Sequence, residues 1–156
     1  MKSLANKKDI ILNHHLNAVK WVESLLEVSE ELWRKPIAEN KWTVAEVVGH
    51  LVFWDEFVLN NRIPYFFTDK EMPKSLDVEE VNRQAAYESR NSSKKEIIRK
   101  FMTARKQIID EIKNFEDNLL SKEFSIGTRQ LTLYEYFNGL AEHDNYHFDQ
   151  IKQIMN

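Results

Sequence analysis

Three histidines are the residues of this chain best placed to do chemistry together. His143 and His147 stand four apart in Leu140-Ala141-Glu142-His143-Asp144-Asn145-Tyr146-His147, a segment that reads as helix. Residues at i and i+4 share a helical face with Cβ atoms about 5–6 Å apart, close enough for two imidazoles to converge on one metal ion. Tyr136 and Leu140 before the pair, and Ile151 and Ile154 after it, continue an apolar stripe that turns the pair inward. His50 lies far upstream in a second amphipathic stretch, with Val47, Trp54 and Phe57 at helical spacing. The expectation is a site in which His50, His143 and His147 hold a divalent metal ion. Three neutral nitrogen ligands leave coordination positions open, as catalytic sites do and closed structural sites do not. Zinc, nickel and iron all accept imidazole, so the ion's identity stays open. No residue is assigned a catalytic role.

The elements that must carry these residues follow from periodicity. A first amphipathic helix spans about 7–28, with Ile10, Ile11, His14, Ala18, Trp21, Val22, Leu25 and Leu26 at steps of mostly three or four. Of the adjacent His14 and His15 only one can face the core, and His14 fits the stripe better; it is read as a core or surface residue rather than a fourth ligand. Thr43 with Glu46 makes a capping box that opens the second helix, which ends near Asn61 before Pro64. A long connection from Ile63 to about Asn91 follows, with an aromatic run (Tyr65, Phe66, Phe67) and a helical segment predicted over 77–87. Tyr65 to Phe67 are read as packing, a lid over the open end of the bundle, or a dimer contact. Ser92 or Ser93 caps a third helix with the stripe Ile97, Phe101, Ala104, Ile108, Ile112 and Phe115. A loop or short extended link spans 121–131. Thr132 with Glu135 then opens the last helix, which runs to about Met155. The fold class expected is all-α: a four-helix bundle in one domain, residues 1–156, whose longest connection joins the second and third helices as a crossover between parallel neighbours.

Composition narrows the function classes. The chain has no cysteine, so it offers neither a disulfide nor a thiol nucleophile of its own, and thiol chemistry would need an external thiol. Net charge is −3 with both signs mixed and no basic stripe, from which no nucleic-acid partner is expected. No stretch is apolar for long enough to span a membrane, and the start of the chain carries no apolar leader, so a cytoplasmic protein without membrane attachment is expected.

The segment Lys41-Trp42-Thr43-Val44-Ala45-Glu46-Val47-Val48-Gly49-His50-Leu51 resembles the W-[ST]-hydrophobic-x-E-hydrophobic-x-x-H-hydrophobic signature of the DinB/YfiT-like superfamily. Gln130-Leu131-Thr132-Leu133 resembles that family's lead into its last helix. His143-x-x-x-His147 followed by Gln150-Ile151 resembles its closing H-x-x-x-H-x-x-Q-I. The resemblance implies a four-helix bundle holding a divalent metal by His50, His143 and His147, frequently as a homodimer. It also implies metal-dependent hydrolysis, or transfer or isomerisation using low-molecular-weight thiols such as bacillithiol or mycothiol. No substrate-recognition motif is matched.

Two readings follow. One is a metal-dependent enzyme acting on a small molecule, activating either water or an external thiol. The other is a non-catalytic module of the same fold, acting in binding or stress response. Carboxylates near the right helices (Glu46, Asp55, Glu142, Asp144, Asp149) are candidates to accept the ligands' second ring N–H, though most read as solvated surface groups. Trp21, Trp42 and Trp54 read as core packing or as pocket walls.

Overall fold

Capping chemistry sets where the helices begin. Thr43 Oγ1 accepts from the Glu46 N–H at 3.1 Å, and Glu46 Oε1 accepts from the Thr43 N–H at 3.0 Å. Thr132 and Glu135 repeat the same reciprocal pair, and Ser93 and Asp77 each accept from main-chain N–H groups of the turn that follows. These caps satisfy donors that no helix can satisfy internally.

The computed structural model describes residues 4–74 and 76–155. Residues 1–3, part of the N-terminal stretch read above for a leader, lie outside the described residues, as do Ser75 and Asn156. The order is α1 (Leu4–Ser24), continued by a 3-10 turn Leu25–Glu27; α2 (Glu30–Trp33); α3 (Val44–Asn61); a 3-10 turn Ile63–Tyr65; α4 (Val78–Arg90); α5 (Lys94–Asn114); a 3-10 turn Asp117–Ser121; the strands β1 (Glu123–Ile126) and β2 (Arg129–Thr132); and α6 (Leu133–Met155). The link before α6 is thus an antiparallel hairpin, Glu123 opposite Thr132 and Ile126 opposite Arg129. Gly127, at φ +60°, supplies the left-handed conformation its tight turn needs.

α1, α3, α5 and α6 form the bundle. α1 packs on α5 and α6, while α3 packs on α4, α5 and α6. Along α3 and α5, Val48 and Ile98 share one apolar cluster and Val58 and Ile108 the other, so these two helices run parallel and the segment holding α4 is the crossover between them. The first cluster includes Val22, Trp33, Leu51, Phe101 and Ile151; the second includes Ile11, Val58, Ile112, Leu133 and Phe137. Between them lies a polar layer to which each long helix gives one residue: His15, Asp55, Arg105 and Asp144, all buried. Arg105 Nε and Nη2 donate to Asp55 at 2.8 and 3.0 Å, and Nη1 and Nη2 donate to Asp144 at 2.5 and 3.0 Å.

This layer corrects the reading of the adjacent histidines. The core stripe of α1 is Ile11, His15, Ala18, Val22 and Leu25, so His15 is the buried one. Arg105 Nη1 donates to His15 Nδ1 there at 3.2 Å, while His15 Nε2 has no hydrogen-bond partner among the described residues. His14 sits half-buried beside it and bonds Asp144 Oδ2 through Nε2 at 2.9 Å. In the aromatic run, Phe66 is buried against Phe124, Tyr136 and Phe137, which assigns it to packing.

Candidate metal centre

α3 and α6 run antiparallel, and their facing stripes bring the three histidines to one point. His143 Nε2 lies 3.4 Å from His50 Nε2 and 3.2 Å from His147 Nε2, and one ligand atom from each of the three falls within a 4.8 Å span. An ion about 2.0–2.1 Å from each nitrogen in tetrahedral geometry requires N···N edges of about 3.3 Å. The two measured edges match that spacing. His50 and His147 are buried, and His143 is the most open of the three.

Hydrogen bonds from other side chains decide which nitrogen carries each proton. Asn82 Oδ1 lies 2.9 Å from His50 Nδ1 and also accepts from Trp54 Nε1–H at 3.2 Å. An indole N–H can only donate, so the atom it meets is the amide oxygen, and His50 must donate to it through Nδ1–H. The lone pair of His50 then sits on Nε2, facing the other histidines. Gln150 Oε1 takes the same role at 2.9 Å from His147 Nδ1. Lone pairs of two imidazoles therefore converge on His143 Nε2, which has at most one hydrogen to offer. A cation satisfies all three, and this donor set fits a divalent metal ion.

Protonation follows the same logic. Burial, then the neighbouring His147 and His143, pull His50 down to about 4. His143 and His147 are also lowered, burial being the larger cause in each. Neutral imidazoles at pH 7 are the form that ligates metal.

The histidines open into a cavity of about 560 Å³ between α3 and α6. Trp42 and Trp54 wall it beside His50, at ring distances of 4.9 and 6.4 Å. Phe57, Val58 and Leu140 continue the apolar wall, and Tyr136 and Arg62 also line it. Among the described residues no acidic side chain does. Trp21 lies apart, packed on Phe148 at 4.5 Å.

The side-chain partners of His50 and His147 are amides, and none of the carboxylates offered as candidates bonds any of the three histidines. Glu46 caps α3 and pairs with Arg90; Glu142 and Asp149 are exposed; Asp55 and Asp144 belong to the Arg105 layer. Sequence reasoning gave no role to Asn82, Gln150 or Arg105. Gln150 stood in the closing motif, so only its function was missing. Asn82, on the crossover helix, had no signal beyond lying on an amphipathic segment. His14, His15 and Asp144 also come within 4.8 Å of one another. There the guanidinium of Arg105 already occupies Asp144 and His15 Nδ1, so this cluster is a salt-bridge centre rather than a second cation site.

A four-helix bundle with three histidines converging from two antiparallel helices defines the class. The chain belongs to the DinB superfamily, whose family pattern it matches over residues 15–151. Two solved structures share the fold. The colibactin self-resistance protein ClbS, in complex with a dsDNA, superposes with a TM-score of 0.74 at 13% identity, over 96% of this chain and 95% of that one. An uncharacterized protein from Clostridium difficile 630 does so with a TM-score of 0.74 at 17% identity, over 95% of each chain. A search of curated proteins finds no match. The ClbS complex overturns the exclusion of nucleic acid drawn from charge balance, because a protein of this fold is solved on duplex DNA. The weakness lay in the warrant: a mixed net charge says little about local charge, and DNA contacts need only a local surface. Among the described residues no helix is long and apolar enough to cross a membrane.

Proposed function

We propose that this chain is a single-domain, metal-dependent enzyme of the cytoplasm, in which His50, His143 and His147 hold a zinc, nickel or iron ion and the adjoining cavity receives a small-molecule substrate. The observation that carries the reading is the tautomer of His50: Asn82, oriented by Trp54, aims an unprotonated nitrogen at the point where the other two meet. A divalent ion held there would lower the pKa of water or of an external thiol and so supply a nucleophile. The protein's part is to keep the imidazoles neutral, to orient His50 and His147 through Asn82 and Gln150, and to wall the site with Trp42 and Trp54.

Thiol transfer is favoured over hydrolysis. Three neutral ligands leave the ion its full charge and favour an anionic fourth partner, and thiolates suit borderline-soft metals. The absence of cysteine means that the thiol enters as a low-molecular-weight co-substrate. Leu76, Val78, Tyr87 and Tyr146 are exposed apolar side chains, and they support a homodimer. A light-scattering mass of 18.6 kDa at high micromolar concentration would count against it.

The test is metal analysis of protein purified without a histidine tag, followed by cobalt substitution and titration with a low-molecular-weight thiol. The expected result is stoichiometric metal and a change in the cobalt spectrum that His143→Ala abolishes. An unchanged spectrum together with hydrolysis of a small ester or amide would select the water mechanism. A second reading, a non-catalytic module that binds DNA, draws on the ClbS complex. It is tested by the salt dependence of duplex binding, and it gains if no thiol- or water-dependent turnover is found.

A further inference from the structure

The cavity has two unlike ends. One is the histidine cluster. At the other stand Tyr136 and Arg62: both line the cavity, and the Tyr136 phenol feels the positive charge of Arg62 and, more weakly, the negative charge of Asp55. Tyr136 lies on the same stripe of α6 as Leu140, His143 and His147, and the helical rise sets it about 10 Å along the axis from His143. Its hydroxyl has no hydrogen-bond partner among the described residues, while its ring is fixed against Phe66, Phe124 and Phe137 at 5.2, 6.1 and 5.5 Å. Burial pushes the phenol up to about 12, so it stays an O–H donor at neutral pH. Arg62 is held in place by the main-chain oxygens of Asn61 and Pro73 at 3.1 and 2.8 Å, with its guanidinium over the Phe57 ring at 4.7 Å. Between the two ends the walls are Trp54, Phe57, Val58 and Leu140.

We infer that the cavity binds an elongated, largely apolar carboxylic acid, its carboxylate anchored by the Tyr136 hydroxyl and the Arg62 charge and its reacting centre about 10 Å away against the histidines. The inference rests on the proposal that reaction occurs at the histidine cluster, and it names the substrate class for that site. No acidic residue among the described residues lines the walls, and Asp55, whose charge reaches Tyr136, is already held by Arg105; a carboxylate therefore gains a donor and a fixed cation at the end where the apolar lining stops. A neutral analogue of the same shape keeps the apolar contacts and loses that anchor, and an acid too short to span the slot cannot reach both ends.

The experiment is calorimetric titration with 4-biphenylacetate and with its primary amide, on chelator-treated and on zinc-loaded protein, for wild type, Tyr136→Phe and Arg62→Gln. The expected result is that wild type binds the acid at least about tenfold more tightly than the amide in both metal states. Each substitution should shrink that ratio toward one while leaving amide binding in place. Tyr136→Phe keeps the ring and its packing, so it remains informative if Arg62→Gln fails to fold. Equal binding of acid and amide, or no saturable binding of either up to the solubility limit, overturns the inference. So does a preference that appears only with zinc and survives Tyr136→Phe, since the acid would then be bound at the ion, and the metal reading would stand alone. A preference that holds in protein unable to take up zinc or cobalt supports the anchor and removes the metal reading instead.

Discussion

Arg105 grips Asp144 with two nitrogens, Nη1 to Oδ2 at 2.5 Å and Nη2 to Oδ1 at 3.0 Å, and Asp144 is the sequence neighbour of His143. The same guanidinium holds Asp55 on α3, the helix that carries His50. One side chain of α5 thus ties together the two helices that deliver the histidines. The bidentate fork matters because it fixes angle as well as distance, which a lysine ammonium cannot do.

Arg105→Met is therefore expected to destabilise the fold by about 3–5 kcal/mol, the cost of leaving buried carboxylates without their partner. Arg105→Lys keeps a positive charge but not the fork, and it should weaken metal binding by more than its loss of stability explains. Urea denaturation together with cobalt titration of the folded variants checks both statements. Unchanged cobalt affinity in Arg105→Lys would show that the layer stabilises the bundle without setting the site.

Acid should weaken the apo protein through its buried histidines, against an opposing contribution from Asp55, whose carboxyl burial raises to about 6. Burial first, and then the charge of Arg105, pull His15 down to about 3, and His50 is lowered to about 4. In the unfolded chain both titrate near 6.5. From about pH 6.5 down to about pH 4 the unfolded state takes up a proton at each of these histidines that the folded state refuses, while the folded state takes up one at Asp55, so stability falls as pH falls with a slope reduced by that one carboxyl. Each such histidine adds a slope of about 1.4 kcal/mol per pH unit in that window. Urea midpoints of chelator-treated protein at pH 7, 6 and 5 should follow this trend, and His15→Gln should make it shallower. A flat profile would mean that these imidazoles do protonate inside the fold.

Removing metal should lower the melting temperature without unfolding the chain at room temperature. The two apolar clusters are built from residues of all four long helices and include none of the three histidines. Bound metal adds stability by mass action, about 2.7 kcal/mol at a concentration one hundred times Kd. Circular dichroism melts with and without chelator provide the comparison. Loss of the helical signal in chelator at 25 °C would show that the clusters cannot hold the bundle alone, as in a zinc finger.

Much of this was legible from local rules. Thr43 with Glu46 and Thr132 with Glu135 announce their helices because a capping box is a contact within one turn. His143 and His147 announce a shared face because i and i+4 are neighbours on any helix. What stayed hidden depended on pairing between distant elements. His15 reads as the outward residue until Arg105 is known to meet it across the bundle, since a buried imidazole without a donor would be penalised. Asn82 reads as an unremarkable polar residue until α4 is folded back along α3. The hairpin before α6 needs two four-residue strands to find each other; β1 alternates over only four residues and β2 does not alternate at all.

Asn82 gives the sharpest test of the site. Its amide oxygen accepts from both His50 and Trp54, so it fixes the tautomer of a proposed ligand and the position of a cavity wall together. Partners of this kind are typically worth about 10–100-fold in metal affinity. Asn82→Ala should therefore weaken cobalt binding by that order, because His50 can then turn its protonated nitrogen toward the cluster. Gln150→Ala should act in the same direction through His147. Asn82→Asp should restore or exceed wild-type affinity, since a carboxylate accepts from both donors and raises the basicity of the imidazole. Cobalt titration monitored by absorbance, with unfolding midpoints measured in parallel, separates loss of affinity from loss of fold. If Asn82→Ala binds cobalt as tightly as wild type, His50 does not depend on this hydrogen bond for its orientation, and the tautomer argument for the metal centre fails.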